Sequence, residues 1–278
     1  MTTPQDILDY LLPYVATAGA YSSQIQKEVG THDAKGGETI FHHALSDADV
    51  TIQSYLEVVL LAKFPHVSFF SEEQEQSLNL KYFAADFDLE VLLDPIDGTR
   101  SYIDNRTHYQ IIVTIHDRHE IVGSLCYMPR RDRCYVATKG GGAFVLTRQE
   151  MESGLRGQPL RLMHSGGPVL AFNAPQLVAK LSPFMETKDL VAEYLQQPGR
   201  YHSTDLIEGL ASATLHLACQ AIDGGSLALI ASEAGAIVSH FDGTPVGSYR
   251  GDPKRTLSGV VVALNPEVHG RIVRALAG

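Results

Sequence analysis

Apolar residues recur at the spacing of one helix face in two stretches near the start of the chain. The first stretch, residues 4–25, follows a capping threonine and carries a proline in its first turn. The second follows Asp47 and Asp49, one of which is expected to cap it, and Pro65 ends it. The polar residues 30–46 between the two helices contain several glycines and predict a loop.

Short runs of β-branched and aromatic residues follow these helices and predict strands. Turn residues separate the last three runs, which is typical of an antiparallel meander. The glycine-rich residues 139–144 come next, but no Gly-Lys-Ser/Thr sequence and no helix follow, so this turn is not expected to bind phosphate. The predicted strands are residues 66–70, 91–93, 109–115, 121–127 and 134–138.

The pattern changes at about Arg148 to strands that alternate with helices. Residues 224–235 predict a helix of small residues, with Asp223 at its N-cap position and Gly235 as its C-cap. From the residues alone, the fold class is mixed α and β. The other predicted segments are a strand at 168–172, one or two helices within 175–195, an element within 203–217, strands at 238–241 and 259–264, and a helix at 266–276.

The composition is that of a globular protein of one large domain or two closely packed halves, with 278 residues, 44% of them hydrophobic. A net charge of -10 argues against a nucleic-acid surface, because a phosphate backbone demands clustered Lys and Arg. The cysteines Cys126, Cys134 and Cys219 lack zinc-ligand spacing, so we expect a reducing compartment and no disulfide. Without a signal sequence or an apolar run of about 18 residues, the expected location is cytoplasmic.

Residues 92–101 place two carboxylates three positions apart at the exit of an apolar run and follow them with glycine. Asp94 and Asp97 are predicted to converge on one hard cation at a strand end, with the Ile96 carbonyl as a further oxygen ligand. The amides of Gly98 and Thr99 then open a helix, and a helix start attracts phosphate. The alternative is an Asp-Pro-x-Asp-Gly turn on the surface.

Residues 94–99, Asp-Pro-Ile-Asp-Gly-Thr, resemble the signature of the lithium-sensitive, Mg²⁺-dependent phosphatase superfamily, whose best known member is inositol monophosphatase. All six positions match. Glu72 and Glu73 stand where that family has Gly-Glu-Glu, and Glu233 lies ten residues after Asp223, as the glutamate of the family's Glu-Ala-Gly motif does. The resemblance spans nearly the whole chain.

The resemblance implies a layered α-β-α-β-α sandwich, an α/β fold of the inositol monophosphatase and sugar phosphatase type. Residues 1–150 would form an N-terminal half with a largely antiparallel sheet that ends at the glycine-rich turn, and residues 151–278 a C-terminal α/β half. The two halves would make one compact unit with the active site between them.

The resemblance also implies a role for each acidic residue. Glu72, Asp94 and the Ile96 carbonyl would hold one Mg²⁺ ion, and Asp94, Asp97 and Asp223 a second. Thr99, with Glu72 and Asp49 behind it, would orient the attacking water. The residues expected to contact substrate are Asp97, Gly98, Thr99 and Asp223, and the weaker candidates are Lys35, near a third ion, with Glu73 and Ser203.

The chain departs from the family pattern in three places. His202-Ser203-Thr204 stands where Gly-Ser/Thr is usual, Ile222 replaces a tryptophan, and residues 214–221 are about half a dozen positions shorter than usual. That stretch normally carries the acidic residue that contacts inositol hydroxyls. The chemistry is therefore expected to be retained, whereas the identity of the substrate does not follow.

The predicted function is Mg²⁺-dependent hydrolysis of a small phosphorylated metabolite, an inositol or sugar monophosphate, with two or three ions. The alternatives within the superfamily are a 3'(2'),5'-bisphosphate nucleotidase and a histidinol-phosphate phosphatase. An alternative of another class is a non-catalytic nucleotide-binding or regulatory protein on the same fold. The expected partner is the metabolite alone, with no nucleic acid and no membrane, and a homodimer is compatible with the chain.

Overall fold

The computed structural model describes residues 2–26, 28, 47–86, 88–163, 166–246 and 255–277, so Lys35 lies outside the described residues. The helices are α1 (Pro4–Ile25), α2 (Asp47–Lys63), α3 (Thr99–Ile103), α4 (Arg148–Ser153), α5 (Pro175–Leu181), α6 (Leu190–Gln196), α7 (Ser226–Glu233) and α8 (Pro266–Ala277). The strands are β1 (Ser68–Ser71), β2 (Glu90–Asp97), β3 (Gln110–His116), β4 (Ile121–Met128), β5 (Arg133–Thr138), β6 (Gly142–Leu146), β7 (Gln158–Pro159), β8 (Val169–Phe172), β9 (Thr187–Asp189), β10 (Ala213–Gln220), β11 (Ile237–His240) and β12 (Thr256–Ala263).

The two N-terminal helices form where the apolar spacing predicts them. Thr3 caps α1, because its hydroxyl accepts the Asp6 N–H at 3.1 Å while its own N–H donates to the Asp6 carboxylate at 2.8 Å. The helix continues through Pro13. In α2, both Asp47 and Asp49 lie inside the first described turn, and Asp49 is fully buried. Asp49 therefore faces the protein interior.

The first sheet contains seven strands in chain order, β1 to β7. Strand β1 pairs with β2 in parallel, and every later pair is antiparallel, which confirms the predicted meander. The prediction that the sheet ends at the glycine-rich turn was wrong, because β6 and β7 continue it. The turn instead binds the end of α7, since the amides of Gly140 and Gly142 donate to the Glu233 carboxylate at 2.8 and 2.9 Å.

The second sheet has the order β11-β12-β10-β8-β9 and is mixed, because β8 runs parallel to both β9 and β10 while β12 is antiparallel to β10 and β11. The segment predicted as one or two helices within 175–195 contains α5 and α6 with the short strand β9 between them. Residues 214–221, the segment shorter than the family pattern, belong almost wholly to strand β10 and contain no acidic residue.

Three apolar clusters separate the layers and confirm the sandwich. The first packs α1 and α2 on one face of the first sheet, with Leu11, Leu60 and Val113 fully buried. The second lies between the two sheets and encloses α7. The third packs α5 and α8 on the far face of the second sheet, with Ile272 fully buried. No helix in the described ranges combines the length and apolar character needed to cross a bilayer.

Helix α1 contacts β4 closely at Gly19. A Cβ atom there would lie 2.3 Å from the ring of the buried Tyr127 and 2.8 Å from Pro129. Gly19→Ala is expected to lower the free energy of unfolding by about 1–2 kcal/mol, because overpacking of about 1–3 kcal/mol outweighs the ~1 kcal/mol gained in helix propensity. Urea unfolding measures this change.

Gly270 in α8 is the matched control for that substitution. A Cβ atom there meets only the flexible end of Arg274, at 3.3 Å. Gly270→Ala is therefore expected to raise the free energy of unfolding by about 0.5–1 kcal/mol. Equal effects of the two substitutions would show that the contact between Gly19 and Tyr127 is not tight.

Candidate metal and phosphate site

Three carboxylates converge at one place between the two sheets. One oxygen from each of Asp94, Asp97 and Asp223 lies within 4.8 Å of the other two. Asp94 is buried, and the other two side chains are partly exposed. This separation suits a common divalent cation, which binds carboxylate oxygens at about 2.0–2.6 Å.

Strand β2 delivers Asp94 and Asp97 by means of an irregular register. Asp94 pairs with Ile112 and Asp97 with Gln110, so the register shifts between the two aspartates. The strand is longer than the predicted residues 91–93, because β2 extends to Asp97 through a bulge, where a proline is tolerated. The bulge lets two carboxylates three residues apart approach one another.

Gly98 ends this strand with a φ angle of 83°, in the left-handed region. A Cβ atom there would lie 3.2 Å from the carbonyl oxygen of His108, so both backbone angle and space favour glycine. The Ile96 N–H donates to the Asp94 carboxylate at 3.0 Å. These local contacts fix the backbone around both aspartates.

Thr99 is buried at the start of α3 and contacts two predicted site groups. Its hydroxyl donates to the Ile96 carbonyl at 2.9 Å, and its oxygen lies 3.5 Å from the carboxylate of Asp49. Because a hydroxyl has one proton, Ile96 is the main acceptor. The structure thus brings together Thr99, Asp49 and the Ile96 carbonyl.

Asp223 reaches the site from the second sheet. It lies within a single π-helical turn, Ala221–Gly225, between β10 and α7, and not at the predicted N-cap position of the helix. Single π-helical turns of this kind are frequent at functional sites. The Thr114 hydroxyl on β3 donates to the Ile222 carbonyl at 3.1 Å and ties this turn to the first sheet.

Glu72 and Glu73 follow β1 and point in different directions. The Glu72 N–H donates to the Leu93 carbonyl at 3.1 Å, which places Glu72 beside β2, and its side chain is exposed. The charge of Glu72 raises the pKa of both Asp94 and Asp97, although Glu72 is not part of the 4.8 Å cluster. Glu73 is buried, and its carbonyl accepts the Gln53 side-chain amide at 3.0 Å.

Burial dominates the electrostatics of the cluster. It raises the pKa of Asp94 well above the usual value, and the charges of Glu72, Asp223, Asp97 and Asp49 add to this shift. Burial also raises the pKa of Asp97 to about 6, although hydrogen bonds from Gln110 and the Gly98 N–H oppose the shift. A bound cation would offset the charge of carboxylates crowded in a desolvated site, so these residues fit a divalent metal ion.

The structure adds one polar residue that the sequence analysis missed. Gln110 is buried, and its amide nitrogen donates to Asp97 and, at 2.9 Å, to the Ser203 hydroxyl. Ser203 is thereby linked to the aspartate cluster through one side chain. The sequence signal was a single glutamine at the start of a run of β-branched residues, which is also compatible with an exposed strand end.

Two histidines stack beside this part of the site. The rings of His108 and His202 are parallel within 5°, with centroids 3.3 Å apart. Burial lowers the pKa of His108 to about 4 and that of His202 to about 3. Both rings are therefore neutral at pH 7, and they join the segment that leads into β3 to the residue before the 203–205 turn, which carries Ser203.

Residues 14–277 match the sequence profile of the family described as the inositol monophosphatase family. The chain is 30% identical over 105 residues, 38% of each protein, to the inositol-1-monophosphatase of Rhizobium meliloti (strain 1021). It is 24% identical over 278 residues to the Nus factor SuhB of Escherichia coli (strain K12), with 94% of this chain and 92% of that protein covered.

Solved structures show the same fold. The chain superposes on the IMPase of Thermotoga maritima with a TM-score of 0.73 at 15% identity, covering 98% of this chain and 97% of that one. For a staphylococcal inositol monophosphatase-1 in a LiCl-soaked inhibitory complex, the TM-score is 0.71 at 18% identity, with coverage of 99% and 96%. At these identities the similarity concerns the fold alone.

Proposed function

The chain belongs to the inositol monophosphatase family, and we propose that it is a lithium-sensitive, Mg²⁺-dependent phosphatase that hydrolyses a small phosphorylated metabolite. The observation that carries the proposal is the convergence of Asp94, Asp97 and Asp223. Each belongs to a motif that resembles the family's. A surface turn would not place two of these carboxylates beside a third from the turn after β10, nor bury Asp94.

The residues proposed to hold Mg²⁺ are those that the geometry brings together. Asp94, Asp97 and Asp223 would share one ion, and Glu72 with the Ile96 carbonyl and Asp94 would hold another, with two or three ions in total. Bound Mg²⁺ would lower the pKa of a coordinated water and offset the negative charge of the phosphate. The net charge of -10 supports this need for metal, because an acidic protein needs bound cations to neutralise a phosphate group.

The remaining groups are proposed to position the reactants. The Thr99 hydroxyl lies between the Ile96 carbonyl and Asp49, so its lone pairs can accept a hydrogen bond from a water at the site. Glu72, exposed beside the cluster, is the proposed partner that accepts a proton from that water. The Gly98 and Thr99 amides at the start of α3 would contact phosphate oxygens.

The structure supports a substrate other than inositol monophosphate alone. Residues 214–221 contain no acidic side chain that could bind polyol hydroxyls, and all but the last of them form part of a strand. We propose that inositol and sugar monophosphates, histidinol phosphate and 3'-phosphoadenosine 5'-phosphate all be compared as substrates. A preference for inositol 1-phosphate of a hundredfold over every other compound, about 2.7 kcal/mol, would contradict this interpretation.

Phosphate release from this panel tests the enzymatic activity. With Mg²⁺, the purified protein is expected to hydrolyse at least one compound, and excess EDTA is expected to lower the rate by at least about 100-fold, because the metal supplies both water activation and charge neutralisation. Restoring Mg²⁺ should recover the rate. Hydrolysis that survives EDTA would contradict the metal-dependent proposal.

A regulatory role is the second candidate, and a specific similarity favours it. The SuhB relative aligns over 94% of this chain and bears the name Nus factor. The two candidates differ in their dependence on the carboxylates, because a non-catalytic role needs no bound Mg²⁺. A protein that releases no phosphate from any compound of the panel would favour the regulatory role.

A further inference from the structure

A row of polar side chains crosses three neighbouring strands and ends at the candidate metal site. Asp97 on β2 pairs directly with Gln110 on β3. On β4, Cys126 pairs with Ile112, two positions from Gln110, and so lies diagonally across from Gln110 on the same face of the sheet. Gln110 and Cys126 are both buried. The row therefore lies in the protein interior, behind the carboxylate cluster.

Every polar atom of the Gln110 amide has a partner. Its nitrogen donates to Asp97 and to the Ser203 hydroxyl, and its oxygen accepts the Cys126 thiol proton at a sulfur-to-oxygen distance of 3.0 Å. A flipped amide would direct its oxygen at the Asp97 carboxylate, which has no proton to donate when ionised. The thiol and the carboxylate thus select the same amide orientation.

We propose that Gln110 is a positioning residue that holds the Asp97 carboxylate in the orientation that binds a divalent cation, and that the Cys126 thiol holds the Gln110 amide in turn. The inference rests on the proposed function, because it assigns Asp97 to the metal. Partners that orient a metal ligand typically contribute 10–100-fold to metal affinity. Gln110 and Cys126 touch neither metal nor substrate in this proposal.

A calorimetric titration of the purified protein with MgCl₂, without substrate, tests the role of Gln110. Gln110→Leu keeps the volume of the side chain and removes its amide, and it is expected to weaken Mg²⁺ binding by about 10–100-fold. The melting temperature in EDTA is expected to fall modestly, because the substitution leaves the Ser203 hydroxyl and the Cys126 thiol without their amide partner. A purely structural role would lower the melting temperature and leave Mg²⁺ affinity unchanged.

Hydrolysis kinetics provide a second readout for Gln110→Leu. The Mg²⁺ concentration for half-maximal activity is expected to rise with the dissociation constant, whereas kcat at saturating Mg²⁺ should stay within about threefold of wild type. This split is expected because every carboxylate ligand is still present, so that saturating Mg²⁺ restores an occupied site.

Cysteine variants test whether the Cys126 thiol holds the Gln110 amide, and the chain offers a matched control. Cys126→Ala removes the thiol donor and is expected to weaken Mg²⁺ binding by about 3–10-fold, and Cys126→Ser, which restores a donor, should recover most of that loss. Cys134 is equally buried on β5 but belongs to the apolar cluster on the opposite face of the sheet. Cys134→Ala creates a similar cavity and should leave Mg²⁺ affinity unchanged.

The outcomes separate this inference from the proposed function. Equal Mg²⁺ affinities of wild type and Gln110→Leu would overturn the inference alone. Equal losses in Cys126→Ala and Cys134→Ala would overturn the role of the thiol. A wild-type protein that binds no Mg²⁺ would overturn both the inference and the metal-dependent function. Since the titration needs no substrate, a failure to find the substrate does not affect it.

Discussion

Replacement of Asp94 by asparagine is expected to lower kcat/KM for phosphomonoesters by at least about 1000-fold, or about 4 kcal/mol of transition-state stabilisation. Asp94 is the most buried member of the cluster and is proposed to bridge both ions, so its substitution removes a full negative charge from between two cations. Asparagine can still accept the Ile96 N–H, which Asp94 accepts at 3.0 Å. The fold should therefore persist.

The same substitution is expected to raise the melting temperature of the metal-free protein at pH 7. Burial and the four surrounding acidic charges raise the pKa of Asp94 in the folded state, whereas the unfolded value is about 3.9. A raised carboxyl pKa stabilises the fold below the unfolded pKa, and this contribution is lost as pH rises through the folded pKa. At pH 7 the metal-free protein has therefore lost this contribution, because its fold opposes ionisation of Asp94, and asparagine removes that cost.

Calorimetric scans in EDTA at pH 7 and at pH 4 measure this effect. The difference in melting temperature between Asp94→Asn and wild type should be smaller at pH 4 than at pH 7. Added Mg²⁺ should stabilise wild type and have little effect on Asp94→Asn. Near-wild-type hydrolysis by the variant would show that Asp94 is not a metal ligand. A lower melting temperature in EDTA at pH 7 would show instead that its carboxylate is well solvated or paired.

Sequence periodicity predicted individual helices and strands, whereas their arrangement in layers was implied only by the family resemblance. The helix faces of α1 and α2 and the meander β3 to β5 were predictable from local spacing alone. The short strands β7 and β9 were not, because two or three residues carry no measurable period. Pairing with a neighbouring strand defines them instead.

Some features of the site were likewise predictable from the motif, whereas others depend on tertiary contacts. The motif predicts Asp94 and Asp97 as neighbours beyond a strand of residues 91–93, whereas pairing with β3 continues that strand through a bulge. The π-helical turn at Asp223 likewise depends on contacts with β3 rather than on local propensity. Gln110 was missed because its role depends on which residue lies opposite it across the sheet.

Magnesium affinity is expected to fall at least about 10-fold between pH 7 and pH 5. Burial raises the pKa of Asp97 to about 6 and that of Asp94 well above its usual value. A cation binds the ionised carboxylates, so below these pKa values it must displace protons. Each displaced proton costs about tenfold in affinity per pH unit, or about 1.4 kcal/mol. At pH values above the folded pKa of a carboxyl group, that group is already ionised and no longer contributes to the pH dependence of Mg²⁺ affinity.

Calorimetric titration with MgCl₂ in two buffers of different ionisation enthalpy measures both the affinity and the number of protons released. Asp97→Asn should bind Mg²⁺ more weakly at pH 7 and release fewer protons at pH 6 than wild type does. Asp242→Asn is the matched control, because Asp242 lies in an exposed turn where its carboxylate accepts the Thr244 N–H at 2.9 Å. An affinity that stays constant from pH 7 to pH 5 would show that the cation does not bind at these raised-pKa carboxylates, since no proton would then compete with it.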